Sequence, residues 1–323
     1  MKNWIRWACL VAGAGLAFAA LAETAVPRKG TVVDIKPNRI LLMDVARVGN
    51  PGTRLVAVGE RGFAMLSDDA GKSWRAVGTP VSRTLTGVAF ENDKLGVAVG
   101  HGGTLVRTED GGGTWTEVPL EEAMGESLLG VTSLGSGKFA AYGAFGFYFD
   151  SSDGGKTWTR RTVISEEFEA HISQVVPVGG TLWLAGESGA LAKSEDGGAT
   201  FVAVPSPYTG SFFGMLVAPD GALVLYGMRG SVYRSVDGGV SWTRTEIGTT
   251  ASFNGGRVLS DGRIVLVGNA GLVATSTNSA KSFDVEWAPQ GKGFSAVVDA
   301  QGGLVVVGEA GAGLLDAAAL AKK

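Results

Sequence analysis

The stretch Gly100-His101-Gly102-Gly103-Thr104-Leu105-Val106-Arg107-Thr108-Glu109-Asp110-Gly111-Gly112-Gly113-Thr114-Trp115 decides the fold. A pair of glycines three apart is followed by a strand-sized run and then by a Thr-x-Asp-Gly-Gly-x-Thr-Trp box. The box recurs along the chain. Its Asp and aromatic positions are Asp69 and Trp74, Asp110 and Trp115, Asp153 and Trp158, Asp196 and Phe201, and Asp237 and Trp242. A degenerate sixth copy spans residues 276–283. Successive boxes start 41, 43, 43, 41 and 41 residues apart. The glycine pair recurs seven times, beginning at Gly59, Gly100, Gly143, Gly186, Gly227, Gly268 and Gly308.

A period near forty residues with short apolar runs indicates one four-stranded blade per repeat. In the second unit, residues 86–90, 95–99, 104–108 and 114–118 read as strands from the innermost outward, with apolar residues alternating or continuous as half-buried and fully buried strands require. Seven such units predict an all-β, seven-bladed β-propeller with four-stranded blades. The glycine pair suits the hairpin between the second and third strands, where glycine adopts positive φ without steric cost. The box suits the next hairpin. Its Asp accepts N–H groups across the turn, and its aromatic packs between blades. Asp69, Asp110, Asp153, Asp196 and Asp237, with Trp74, Trp115, Trp158 and Trp242, are therefore read as structural. Each box offers one carboxylate on its own blade, so no metal is expected.

The seventh unit, residues 294–315, lacks a box and an outer strand. Residues 31–35 are β-rich and have no repeat partner. They are expected to complete the last blade beside residues 313–316 and so to close the ring.

Residues 1–22 read as an export signal: Lys2 and Arg6, an apolar run over 8–19 too short to span a membrane, and Ala20-Leu21-Ala22 before Glu23. Residues 23–323 are then a single propeller domain, periplasmic or otherwise exported, soluble and without an integral membrane segment. The one cysteine, Cys9, lies in the signal, so the exported part has no disulfide. Loss of Lys2 and Arg6 takes the formal charge from −3 to −5. An acidic chain without a basic run excludes a nucleic-acid partner. A monomer without cofactor is expected.

Through its boxes and glycine pairs the chain resembles the BNR/Asp-box propellers, and within them the photosystem II stability/assembly factor family, over about residues 30–316. The resemblance implies a non-catalytic scaffold or accessory factor that holds a membrane protein on the lumenal or periplasmic side, with a protein partner such as an inner-membrane complex or transporter. Two features depart from the photosynthetic pattern: there is no lipoprotein box and no arginine cluster along the sequence.

Asp-box propellers also include sialidases and glycan hydrolases, so a carbohydrate-binding or glycoside-hydrolysing propeller is the alternative. The arginine motif that such resemblance requires before the first box is absent, since Arg54 and Arg61 do not form it. Tyr142 and Tyr226 take second-strand positions and read as core. Glu60, Glu187 and Glu309 remain as turn carboxylates for a hydrolytic pair. His101 and His171 lie on different blades and make no metal site. No catalytic residue is assigned.

The face built from second-to-third-strand turns and blade connections varies most, and loops on a rigid scaffold carry recognition. Arg61, Phe145, Tyr208 and Arg229, with the acidic connections around Glu121 and Glu166, are expected to form a protein-binding rim. Phe145 stands where other turns have Arg61, Gly102, Ser188 or Arg229, and an aromatic there suits an anchor. Phe212 and Phe213 read as core at a strand entry.

Overall fold

The computed structural model describes residues 32–33, 39–49, 52–300 and 303–315. The expected export signal at residues 1–22 lies outside them. Short apolar runs become strands, and these form seven antiparallel meanders whose innermost strands neighbour one another around a ring. Blade 1 runs Leu42–Arg47, Leu55–Gly59, Phe63–Ser67 and Arg75–Gly78 from the axis outward. Blade 3 runs Leu128–Gly135, Lys138–Gly143, Tyr148–Ser151 and Thr159–Arg161. Blade 7 has three strands, Phe294–Ala300, Gly303–Gly308 and Gly311–Leu315. The second strand of every blade is almost wholly buried because a neighbouring blade covers each face, which is why it reads as Val, Leu and Ala without alternation.

The boxes tie blade to blade. In blade 3, one oxygen of Asp153 accepts the Ser151 hydroxyl and the Lys156 and Thr157 N–H groups at 2.9–3.0 Å, while the other accepts the Thr157 hydroxyl at 2.6 Å. The Trp158 indole N–H donates to the Gly155 carbonyl at 3.1 Å. Gly155 sits so close to blade 2 that a Cβ would lie 2.7 Å from Val97. Blade 2 in turn sends the Arg107 guanidinium to the Gly154 carbonyl. The same Asp pattern repeats at Asp69, Asp110, Asp196 and Asp237. In the degenerate box Asn278 keeps it: its carbonyl accepts the Ser276 hydroxyl and the Ser282 N–H, and its amide donates to the Ser282 hydroxyl.

The ring does not close as the sequence suggested. Val32–Val33 pairs with Arg75–Gly78, Val32 opposite Val77, and so adds a fifth strand to blade 1 rather than a fourth to blade 7. The outer strand of blade 1 offers Ala76 and Val77, whereas Gly311 and Gly313 make the edge of blade 7 a poor strand partner. Closure comes instead from the contact every other pair of blades uses. Leu42, Leu55 and Met65 of blade 1 share one core cluster with Val298, Val305 and Val307 of blade 7, and Arg47 donates to the Asp299 carbonyl. Burying each such side chain contributes roughly 1.5–3 kcal/mol. A two-residue strand pairing adds hydrogen bonds of only about 1 kcal/mol each, so packing between blade faces stabilises the closed ring more than the strand pairing does.

The box carboxyls set the acid limit of this fold. Hydroxyl and N–H donors lower Asp69, Asp196 and Asp237 to about 2, from 3.8. Their contribution is complete above pH 3.8 and is lost as pH falls through about 2. Replacing all three by Asn, as blade 6 already does, should leave the fold intact near neutral pH and flatten the acid limb of unfolding followed by circular dichroism. An acid limb identical to that of the parent chain would count against this role.

Candidate protein-binding face

Each of the first six blades passes from second to third strand through a three-residue 3-10 turn, among them Glu60–Gly62, Ala144–Gly146, Glu187–Gly189 and Met228–Gly230. The two glycines of each pair do different jobs. Gly143 is extended, with φ −177°, and is needed for closeness. A Cβ on it would lie 2.2 Å from the Ser127 carbonyl oxygen. That same carbonyl accepts the N–H of Ala144 at 2.9 Å. Only the second glycine, Gly146, takes positive φ, at 68°. The corresponding bond runs from Glu60 to Leu41, His101 to Thr84, Glu187 to His171, Met228 to Ser211, Asn269 to Ser252 and Glu309 to Gly293. Beside it the innermost strand bulges, skipping one residue between Leu128 and Gly130, and likewise in every blade.

The central turn residue is also left-handed, which is uncommon for a large side chain. Phe145 has φ 52° and is 49% exposed. Its ring meets His171 edge-on, with centroids 5.1 Å apart. His171 Nδ1 is 3.1 Å from Glu187 Oε2, an ion pair only when the imidazole is protonated, and that oxygen also accepts the His171 backbone N–H. The connections on either side of blade 3, residues 118–127 and 162–171, are the longest in the ring. Each carries a further exposed apolar side chain on left-handed backbone, Met124 (φ 51°) and Ile164 (φ 62°). A groove of about 490 Å3 lies there, lined by Met124, Phe145, Phe147, Arg160, Glu166 and Phe168 among others. Arg160 stacks 4.3 Å over the Phe147 ring, and Arg161 grips both oxygens of Asp150.

The four rim residues are dispersed. Arg61 and Arg229 are exposed at the centres of the turns of blades 1 and 5. Tyr208 is half-buried, its ring 5.9 Å from both Phe212 and Tyr233. It braces the connection into blade 5 rather than facing outward. Among the described residues, no hydrogen bond, ion pair or ring contact joins any two of the four. Phe212 is buried, but Phe213 is half-buried at the channel mouth with Met43, Leu129 and Asn254. Sequence reasoning missed Met124 and Ile164, because residue type does not disclose left-handed backbone in a connection.

The turn carboxylates serve their own blades: Glu60 accepts the Leu41 N–H, and Glu187 that of His171. Among the described residues no cluster of His, Cys, Asp and Glu could hold a metal ion. Tyr142 and Tyr226 are core, as their second-strand positions imply, and burial pushes the Tyr142 hydroxyl up to about 12.

Down the channel, side chains bridge neighbouring innermost strands whose axial backbone groups have no strand partner. Asp44 accepts the Val88 N–H at 2.9 Å, Gln174 accepts that of Met215 at 2.6 Å, and the Thr86 hydroxyl donates to the Leu128 carbonyl at 2.8 Å. Burial raises the Asp44 carboxyl from 3.8 to about 6, against the pull of the Val88 and Val45 N–H groups and Arg257.

Repeat, ring and face together define a seven-bladed propeller that resembles the photosystem II assembly factors. Residues 140–292 match the family model described as Photosynthesis system II assembly factor YCF48. No curated protein sequence matches the chain. A structure of YCF48 bound to D1 peptide superposes with a TM-score of 0.69 at 17% identity, covering 89% of this chain and 97% of that one. YCF48 from Cyanidioschyzon merolae gives 0.69 at 15% identity, covering 88% and 97%. An ancestral GH74 enzyme gives 0.62 at 16% identity, but only 40% of that chain is covered. At these identities the likeness is one of fold.

Two outcomes follow from this geometry. Gly143→Ala forces a backbone clash and should lower unfolding free energy by about 3 kcal/mol, whereas Gly125→Ala, at φ 81° with open space around it, should cost only about 1 kcal/mol. Equal losses in denaturant titrations would contradict the close-approach role. For Asp44 the folded pKa is raised, so its contribution is complete below pH 3.8 and is lost as pH rises through about 6. Relative to Asp44→Asn, the parent chain should lose at most about 2 kcal/mol between roughly pH 4.5 and 7.5, since part of the side chain still meets channel water. A difference independent of pH would show that the carboxyl does not titrate there.

Proposed function

We propose that this chain is an exported, non-catalytic scaffold that binds a protein partner and assists assembly or upkeep of a membrane-protein complex from the periplasmic side. The observation that carries the reading is Phe145, an aromatic held half-exposed on strained backbone within the segment that matches the YCF48 model. The presence of a D1 peptide on a YCF48 of the same fold supports a protein ligand for this one. Export rests on residues 1–22, with residues 23–323 as the working domain. Among the described residues no helix is long and apolar enough to cross a membrane. Arg61, Phe145 and Arg229 are the proposed contacts, on a monomer. Tyr208 belongs to their support.

The test is capture of the client from cells by in vivo crosslinking and mass spectrometry. Changing Arg61, Phe145 and Arg229 together to Ala should abolish recovery of the client while the melting curve stays that of the parent chain. Undiminished recovery by the folded triple variant would reject the rim.

A further inference from the structure

We propose that the groove over blade 3 takes an extended client segment in which an apolar side chain is flanked by Lys or Arg. The proposal rests on the protein-binding reading and specifies the chemistry of the segment bound.

Met124, Phe145, Phe147 and Phe168 supply the apolar part. Met124 and Phe145 are 68% and 49% exposed, and each stands on left-handed backbone that a non-glycine residue rarely adopts. The lining draws on three consecutive segments around one blade: the connection before it, its own turn and the connection after it. Strain of this kind persists only where the surrounding structure holds it, and it gathers where a surface has work to do. Here the holding element is known for Phe145, since the Ala144 N–H to Ser127 carbonyl bond pins the base of its turn.

Charge decides what fits. The connections 118–127 and 162–171 contain Glu121, Glu122, Glu126, Glu166, Glu167 and Glu169, and neither contains a Lys or Arg. Two cations line the groove as well: Arg161 is neutralised by Asp150, and Arg160 lies over the Phe147 ring without an ion-pair partner among the described residues, against the three lining carboxylates Glu122, Glu166 and Glu169. Among the described residues, Glu122, Glu167 and Glu169 have no ion-pair partner. An acidic peptide or a nucleic-acid backbone would be repelled from this rim, and a neutral apolar one would gain nothing from it. A cationic segment gains faster encounter from the rim and affinity from the apolar centre.

The experiment is selection of a random-peptide display library on the purified full chain, followed by titration of the selected peptides as synthetic probes. Enriched peptides should carry Lys or Arg beside Leu, Met or an aromatic. Their affinity should fall at least about tenfold for Phe145→Ala and for the combined Glu122→Gln, Glu167→Gln, Glu169→Gln variant. It should also weaken with rising salt, as exposed charges are screened. All the altered side chains are exposed, so unchanged melting curves are the control for folding. Enrichment of acidic or uncharged peptides, selected peptides indifferent to both variants, or no enrichment at all overturns the proposal. Client recovery in cells separates the two readings: if it persists in the glutamine variant, the protein-binding reading stands and the groove is not the place.

Discussion

One short backbone contact organises every blade. The carbonyl just before the innermost strand accepts the N–H that follows the first glycine of the turn, at 2.9–3.1 Å in all seven blades. For that N–H to arrive, the preceding residue must have no Cβ, and the innermost strand must bulge by one residue. The bulge re-aims the skipped side chain. Met43, Leu129, Ser173, Phe213, Asn254 and Ser295 thereby come to line the mouth of the channel. In the first six blades the same contact seats the turn whose central residue stands on left-handed backbone. Mouth and rim are thus two consequences of one constraint.

Neighbouring blades are then locked on both sides of that contact. At the far face the boxes bury a compact residue against the preceding blade, Gly155 in blade 3 and Ala280 in blade 6, and these two receive an arginine from it, Arg107 and Arg234. Along the axis Asp44, Gln174 and Thr86 satisfy backbone groups that innermost strands leave unpaired. The arginine bond is made from blades 1, 2 and 5, by Arg54, Arg107 and Arg234, so different interfaces are locked by different sets of bonds. The join between blades 1 and 7 uses the same face packing as the rest. A face held this way presents its side chains with little freedom to lose on binding, which favours recognition by a few well-placed anchors.

Much of the architecture was legible because its causes are local and repeated. A box needs an acceptor, two compact residues and an aromatic within eight positions, and those requirements recur visibly every forty or so residues. Asn278 was legible as a degenerate copy, although only its bonds show that the amide reproduces the work of the carboxylate. Phe145 stood out for the same reason, being an odd residue at a repeated place. The errors fall where position in space matters more than position in the repeat. Both turn glycines look alike in sequence, yet one avoids a clash with a distant carbonyl and the other relieves a dihedral. Tyr208 lies in a variable connection and still folds onto Phe212 and Tyr233, because nothing local tells a solvent-facing aromatic from one that covers a core edge.

The sequence by itself determined the number of blades, the strand order within each, the box turns and the face that varies. All of these depend on contacts between residues near one another in the chain. Only the tertiary structure decided where residues 32–33 pair, how the ring closes, and that Met124 and Phe145 meet at one groove beside the acidic connections. Those outcomes depend on which surfaces meet across blades and on backbone conformations imposed from outside the segment, and neither is written in the residues that carry them.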